Sequence, residues 1–307
     1  MNGAPRPPHP FDGAIVVAGP TASGKTALAI ELAERIGAEV IGADSQQLYA
    51  DLPVTTCQPT ETERARIPHH LVGVLPATER MSAARYGQLA RAAAAEIRAR
   101  GLRVLLVGGT GLYLRAAIQG LFEGPAANPE LRAALVAEAE RDGREKLHAR
   151  LAALDPEAAA RLSPNDLLRV IRSLEIHALT GQSQSEHHRK HQRGQPAVTW
   201  FAVGVPRETL YGRIAERTRA MYPALLGEAR RLGVRGLQAS PAARALGISE
   251  ALRALAGELS QEEAIELTIQ ATRRYAKRQL TWFRKEKQIQ WLEPGELPSG
   301  ELTSGIP

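Results

Sequence analysis

The 307-residue chain has one cysteine, Cys57. A lone cysteine cannot form an internal disulfide, which points to a reducing, cytoplasmic home. Cys57 itself reads as a small buried or loop residue rather than a reactive thiol. Long apolar runs are missing too. No stretch approaches the ~20 uninterrupted apolar residues needed to cross a bilayer, so no membrane partner is expected. The opening MNGAPRPPHP is rich in proline and leads into no apolar segment of the signal-peptide kind, which argues against secretion. No internal repeat is evident. Hydrophobic residues make up 44% and charged residues 23%, an ordinary globular composition that excludes wholesale disorder and a collagen-like chain.

What the chain does have is an uneven charge. Lys+Arg total 39 against Asp+Glu 33, a net +6. Residues 268–287 hold seven basic residues and one acidic, an excess equal to that of the whole chain. A second basic spot, HHRKHQR, lies at 187–193. A polyanionic partner and a solvated helix face are both compatible with such runs.

Along the chain, Ala14–Ala18 is a short apolar run of the kind that forms a buried strand. Helical spacing follows over Ala27–Ile36 and ends at Gly37. Further strands are expected at Glu39–Gly42, His70–Leu75 and Val104–Val107, with residues 50–70 loop-like and a helix over Ala83–Ala99. This order indicates a parallel α/β sheet flanked by helices, over residues 11–122. From 123 to 196 the pattern is helical, punctuated by Pro125, Pro129, Pro156 and Pro164, and reads as an all-helical insertion domain. The core resumes over 197–293, with strands at Val198–Val205 and Gln288–Leu292 and long helices near 207–232 and 261–285. Residues 294–307 read as a flexible tail.

The sharpest local signal is Gly19-Pro20-Thr21-Ala22-Ser23-Gly24-Lys25-Thr26, a G-x4-G-K-[ST] match between an apolar strand and an amphipathic helix. The glycines let successive backbone N–H groups point at one anion, and the helix N-terminus adds partial positive charge. Lys25 adds a full charge, and Thr26 can help hold Mg²⁺. The pattern indicates a di- or triphosphate without saying which. An ATP-using loop of this kind usually pairs with an acid ending another strand. Here Val104–Val107 runs into Gly108-Gly109-Thr110-Gly111, with no carboxylate. The acid is instead Asp44, past the second strand, where the carboxyl ends of parallel strands gather over a ligand crevice.

These residues resemble the tRNA dimethylallyltransferases, also called tRNA isopentenyltransferases. The resemblance runs from about residue 13 to 292. It rests on GPTASGKT at 19–26; on Asp44-Ser45-Gln46-Gln47-Leu48-Tyr49; on Pro68–Leu71; and on Val107–Tyr113. It continues in Asn165, Asp166, Arg169, Arg172, Leu174 and Glu175, in Arg213, Ile214 and Arg217, and in Ala276–Gln279 with Thr281–Arg284. Two blocks depart from the family pattern. Thr55 and Gln58 stand where a glycine and a lysine are usual, and Ile248 and Ser249 where a tyrosine and a basic residue are usual.

The resemblance implies prenyl transfer from dimethylallyl diphosphate to N6 of adenosine 37, beside the tRNA anticodon. The diphosphate would occupy the loop from Gly19 to Thr26, where many kinases hold ATP, assisted by Arg217 and by Mg²⁺ on Thr26. Asp44 would be the general base and Thr110 would lie near the reacting groups. The base must be turned out of its stack to be reached. Asp44, Ser45, Gln46 and Gln47 would meet it, Gln47 being suited to an adenine edge. The insertion would clasp the anticodon stem-loop, with HHRKHQR in a loop. Arg169 and Arg172 share a helix face and would either contact RNA or pair with Asp166 and Glu175. Arg273, Lys277, Arg278 and Gln279 are the remaining tRNA candidates. Trp282 and Phe283 suit either base stacking or anchoring of the last helix. A monomer is the default. The competing readings are a P-loop kinase of a nucleoside or small metabolite, and a non-catalytic RNA-binding module.

Overall fold

The computed structural model describes residues 9–122, 124–191 and 196–298. The first eight residues, the 192–193 end of the basic HHRKHQR stretch and the tail beyond 298 lie outside them. The chain divides into two compact units, one made of Met1–Ile118 with Pro196–Pro307 and the other of Gln119–Gln195.

The first unit opens with β1 (Ile15–Ala18), α1 (Lys25–Ile36), β2 (Ala38–Gly42), α2 (Glu61–Arg66), β3 (His69–His70), α3 (Ala83–Ala99), β4 (Arg103–Gly108) and α4 (Gly111–Gln119). The second unit is built from α5 (Pro129–Asp142), α6 (Arg144–Leu154), α7 (Pro156–Arg161), α8 (Leu167–Thr180) and α9 (Gln184–His191). The first then resumes with β5 (Thr199–Val203), α10 (Arg207–Val234), α11 (Ile248–Leu255), α12 (Gln261–Phe283) and β6 (Ile289–Leu292). Among the described residues the strands form one sheet in the order β3-β2-β4-β1-β5-β6, every pairing parallel.

The strands read as unbroken apolar runs because both faces of the sheet are covered. Successive side chains of a strand point to opposite faces. Val16, Leu106 and Val104 accordingly pack into one core, with Tyr86 and Phe283. Ile15, Val17, Leu105 and Val107 pack into the other, with Ile30 and Leu32 of α1.

Two local expectations change. The ladder at the sheet edge is only His69–His70, not His70–Leu75. Leu71 and Gly73 take left-handed φ values of 57° and 65°, which lift the chain off the sheet until Leu75 meets Tyr49 in an isolated bridge. Within the loop-like 50–70 stretch lies α2, closed by a capping box between Thr60 and Glu63.

The second unit packs Leu135, Leu147, Leu151, Val170 and Leu174 into its own core. Asn128 and Asp155 cap α5 and α7, each followed by proline at the first helical position. At its centre Glu175 is fully buried. It takes a bidentate pair from Arg132, a hydrogen bond from Arg172 and the Asn128 N–H. The basic HHRKHQR stretch is helical, not a loop, as far as His191 at the end of α9.

Candidate active site

The sheet order decides what meets what. The P-loop follows β1, Gly109-Thr110 follows β4 and Asp44 follows β2, and these three strands are adjacent. Neighbouring strands lie ~4.8 Å apart, so the P-loop and the Asp44 segment leave β1 and β2 about 10 Å from one another, with the β4 turn between them. Backbone hydrogen bonds lock that middle turn to the Asp44 segment: Ala43 N–H to Val107 O at 2.7 Å and Thr110 N–H to Ala43 O at 3.1 Å.

On the phosphate side, Ala22 and Gly24 hold φ values of 64° and 92°, curling the loop before α1 begins at Lys25. A non-glycine residue in that region is strained and is kept where the surroundings demand it. Lys25 Nζ donates to Pro20 O at 3.2 Å. Burial lowers the Lys25 pKa, Asp44 opposes that shift and Arg217 adds to it. An ammonium desolvated beside a guanidinium is short of negative charge. Arg217, from α10, donates to Thr21 Oγ1 at 2.7 Å, while its buried Nε has no partner. Lys25, Thr26, Arg213, Arg217 and Asp44 line one cavity of about 420 Å³.

On the acid side, Asp44 is 8% exposed and accepts the Gln46 N–H at 2.9 Å. Thr110 Oγ1 accepts the Ser45 N–H at 3.0 Å. The Tyr275 hydroxyl, from α12, reaches Thr110 and Ser45, and burial pushes this phenol up. Gln47 donates its amide to Cys57 O at 2.6 Å and lines the large cavity. Gln46 Oε1 is buried without a partner.

Asp44 and Arg217 also line a smaller cavity of about 50 Å³, together with Met221, Leu246 and a set of threonines. It shares Thr21, Asp44, Thr56, Cys57 and Arg217 with the larger one. The hydroxyls of Thr56, Thr218, Thr268 and Thr272 each bond a carbonyl four residues earlier in the chain. A hydroxyl that donates in this way keeps its acceptor lone pairs, so the wall combines the apolar surface of Met221 and Leu246 with acceptor oxygens.

The RNA candidates sort differently from their sequence reading. Gln279 is 5% exposed and bonded to the backbone of Thr21 and Gly109, so it is a brace inside the core rather than a surface contact. Arg172 is taken up by Glu175 and Pro125 O, and the more exposed Arg169 pairs with Asp166 at 3.3 Å. Both arginines form the ion pairs, with Arg172 partly buried and the Arg169 side chain left 75% exposed. Arg273 lies over the Tyr211 ring and donates to its carbonyl. Lys277 and Arg278 are exposed, Arg278 with its guanidinium over Tyr275. Phe283 is fully buried, and Trp282 packs over Gly111, where a Cβ would come within 2.2 Å of its ring. The anchoring alternative therefore holds for this pair.

Tyr275, Met221, Thr268 and Thr272 were not singled out from sequence. Spacing carried a signal, since Thr268, Thr272, Tyr275 and Gln279 recur at steps of four, three and four along α12 and share a face. Of the departures, Gln58 bonds Tyr49 O and Arg64 away from the cavity, and Ile248 is fully buried. Thr55 lines the smaller cavity, and its loop is pinned by Glu228, which accepts the Val54 and Thr55 N–H groups at 2.9 and 2.8 Å.

A family model described as IPP transferase matches residues 47–286, and one described as isopentenyl transferase matches 13–69. The chain belongs to the IPP transferase family. It is 52% identical over 283 residues to the tRNA dimethylallyltransferase of Anaeromyxobacter dehalogenans strain 2CP-C, covering 91% of this chain and 94% of that one. It is 50% identical over 295 residues to the tRNA dimethylallyltransferase of Myxococcus xanthus, covering 94% and 96%. Its fold matches the tRNA isopentenylpyrophosphate transferase of Bacillus halodurans with a TM-score of 0.67 at 37% identity, over 91% of this chain and 89% of the other. A eukaryotic dimethylallyltransferase acting on tRNA superposes with a TM-score of 0.77 at 28% identity, over 92% and 73%. Among the described residues no helix is long and apolar enough to cross a membrane.

Proposed function

We propose that this chain transfers a dimethylallyl group from dimethylallyl diphosphate to N6 of adenosine 37 in tRNA. The observation that carries the reading is a single cavity lined by both the anion loop and Asp44, sharing Asp44 and Arg217 with a smaller cavity beside it. A phosphoryl-transferring kinase needs an acid near its phosphates to hold the metal. Here the turn after β4 offers Thr110 instead, and the acid is Asp44, which follows β2 and lines the cavity as a candidate acceptor for the nucleophile's proton.

In this reading the diphosphate lies against the N–H groups of the P-loop, Lys25 and Arg217, which stabilise the negative charge growing on the leaving group. The five-carbon tail enters the smaller cavity. Adenine N6 attacks the allylic C1 and Asp44 accepts the N6 proton. Thr110 and Ser45 hold the segment that carries Asp44.

Among the described residues no cluster of three or more His, Cys, Asp or Glu side chains is suited to a metal. The donors present fit Mg²⁺ carried by the diphosphate, since Mg²⁺ keeps several waters and binds through substrate phosphates with few protein groups. Thr26, which lines the same cavity, would hold it, and it would add charge neutralisation on the diphosphate. The exposed Arg169, Lys277 and Arg278 are the groups best placed to meet RNA phosphate. A monomer is the form proposed.

The test is to incubate the purified protein with Mg²⁺, dimethylallyl diphosphate and unmodified tRNA, beside an arm with ATP and nucleosides. A tRNA nucleoside heavier by one prenyl group supports the reading. Phosphoryl transfer from ATP without prenylation would replace it with the kinase reading.

A further inference from the structure

Gln279 sits in the basic segment of α12, yet its side chain points into the core and is 5% exposed. Both ends of its amide are used. Its Oε1 accepts the Thr21 N–H at 2.9 Å and its Nε2 donates to Gly109 O at 2.9 Å. Thr21 belongs to the P-loop after β1, and Gly109 to the turn after β4. The fit is close: a Cβ on Gly109 would come within 2.1 Å of Gln279 Nε2.

From these two bonds a continuous path runs across the site. Arg217 bonds Thr21 Oγ1, Thr21 bonds Gln279, Gln279 bonds Gly109, and the adjoining Thr110 bonds Ser45 beside Asp44. The chemistry of the two partners restricts the residue. One end must accept from an N–H and the other must donate to a carbonyl. An amide does both without charge. A glutamate would set a carboxylate oxygen against the Gly109 carbonyl, and a lysine or arginine has no acceptor.

We infer that Gln279 is a positioning residue for prenyl transfer, fixing the diphosphate loop at a set distance from the segment that carries the general base. This inference rests on the function proposed above. Both polar ends of the Gln279 side chain are engaged within the protein. Its effect is felt in the rate of the chemical step, because carbon transfer demands that donor carbon, N6 and base stand in register.

Gln279→Met keeps the length of the side chain and removes the amide. Misplacement by about 1 Å costs on the order of 10²-fold in rate, so the single-turnover rate at saturating tRNA and dimethylallyl diphosphate should fall ~10–100-fold. Affinity for tRNA, measured by gel shift, should stay at the wild-type value. A saturated rate equal to wild type with weakened tRNA binding would make Gln279 an RNA contact and overturn the inference. A lowered melting temperature with an unchanged saturated rate would make it merely structural, with the same consequence. Should Gln279→Met not fold, Gln279→Asn retains the amide but is too short to bridge both partners, and the same rate loss is expected. An unchanged rate in that variant overturns the inference. A wild-type protein that transfers no prenyl group overturns the proposed function instead, before any variant is compared.

Discussion

In the α/β core, Arg217 Nε, Ser23 Oγ, Gln46 Oε1 and Thr55 Oγ1 are buried with no partner. In the helical unit the buried Glu175 has both oxygens taken by Arg132, Arg172 and Asn128, and Asp155 caps α7 while accepting the Ser185 N–H. Among the described residues every buried, unpartnered side-chain polar atom lies in the core. Such atoms are costly unless something else satisfies them. Three of them, on Arg217, Gln46 and Thr55, line the smaller cavity, as in a site built for a polar ligand. The helical unit spends its polar groups on holding itself together and leaves recognition to its surface.

The largest effects should therefore come from the core. Lys25→Ala and Arg217→Ala each remove a charge from the leaving-group side and should lower kcat by ~10²–10³, the usual worth of one such donor. Affinity for tRNA should stay near wild type in both variants. A variant that loses tRNA binding and keeps its saturated rate would erase the distinction between the two regions.

Replacing the buried acid of the helical unit should act on stability instead. Burial alone would raise the Glu175 pKa, but hydrogen bonds from Arg132, Arg172 and the Asn128 N–H outweigh it and bring it from 4.5 to about 2. A depressed carboxyl contributes stability above its unfolded value and loses it as pH falls through the folded one. That contribution should be complete above pH 4.5 and vanish as pH falls towards 2. Glu175→Gln should cost about 1–3 kcal/mol at neutral pH and flatten this acid limb, read by circular dichroism. An unaltered acid limb would mean the cluster contributes nothing.

The smallest effect separates surface cations. Arg278→Ala should flatten the slope of log tRNA affinity against log salt by about one unit if it neutralises one phosphate. Arg172→Ala should lower stability and leave the slope unchanged, since its guanidinium is bonded to Glu175 and Pro125. Titrations at several salt concentrations check both. Equal slopes for Arg278→Ala and wild type would remove Arg278 from the RNA contacts.

How much of this was legible in sequence differed between the two regions for physical reasons. The apolar runs Ile15–Ala18 and Val104–Val107 declared a sheet buried on both faces, and the P-loop and Asp44 follow from where such strands end. Ala83–Ala99 is helical over the span its periodicity gave. The six-residue α2 was not, because it buries nothing and so has no apolar stripe, and residues 50–70 read as a loop. The roles of Gln279 and Tyr275 were hidden by the cations around them. Composition reports a helix as basic, while exposed Lys277 and Arg278 and inward Tyr275 and Gln279 differ only in the face they take. For Arg169 and Arg172 the sequence offered RNA contact and ion pairing alike; the structure pairs both, and only their burial separates them, Arg172 being the less exposed.

The claim on which the rest depends is that Asp44 removes the N6 proton in the cavity that holds the diphosphate. Asp44→Asn preserves shape and removes the base. The decisive measurement is the single-turnover rate of prenylated-nucleoside formation with this variant, at saturating tRNA and dimethylallyl diphosphate and neutral pH. The account predicts a fall of ~10²–10⁴ in rate, the worth of a positioned general base, with tRNA still bound. A rate within a few-fold of wild type would contradict it.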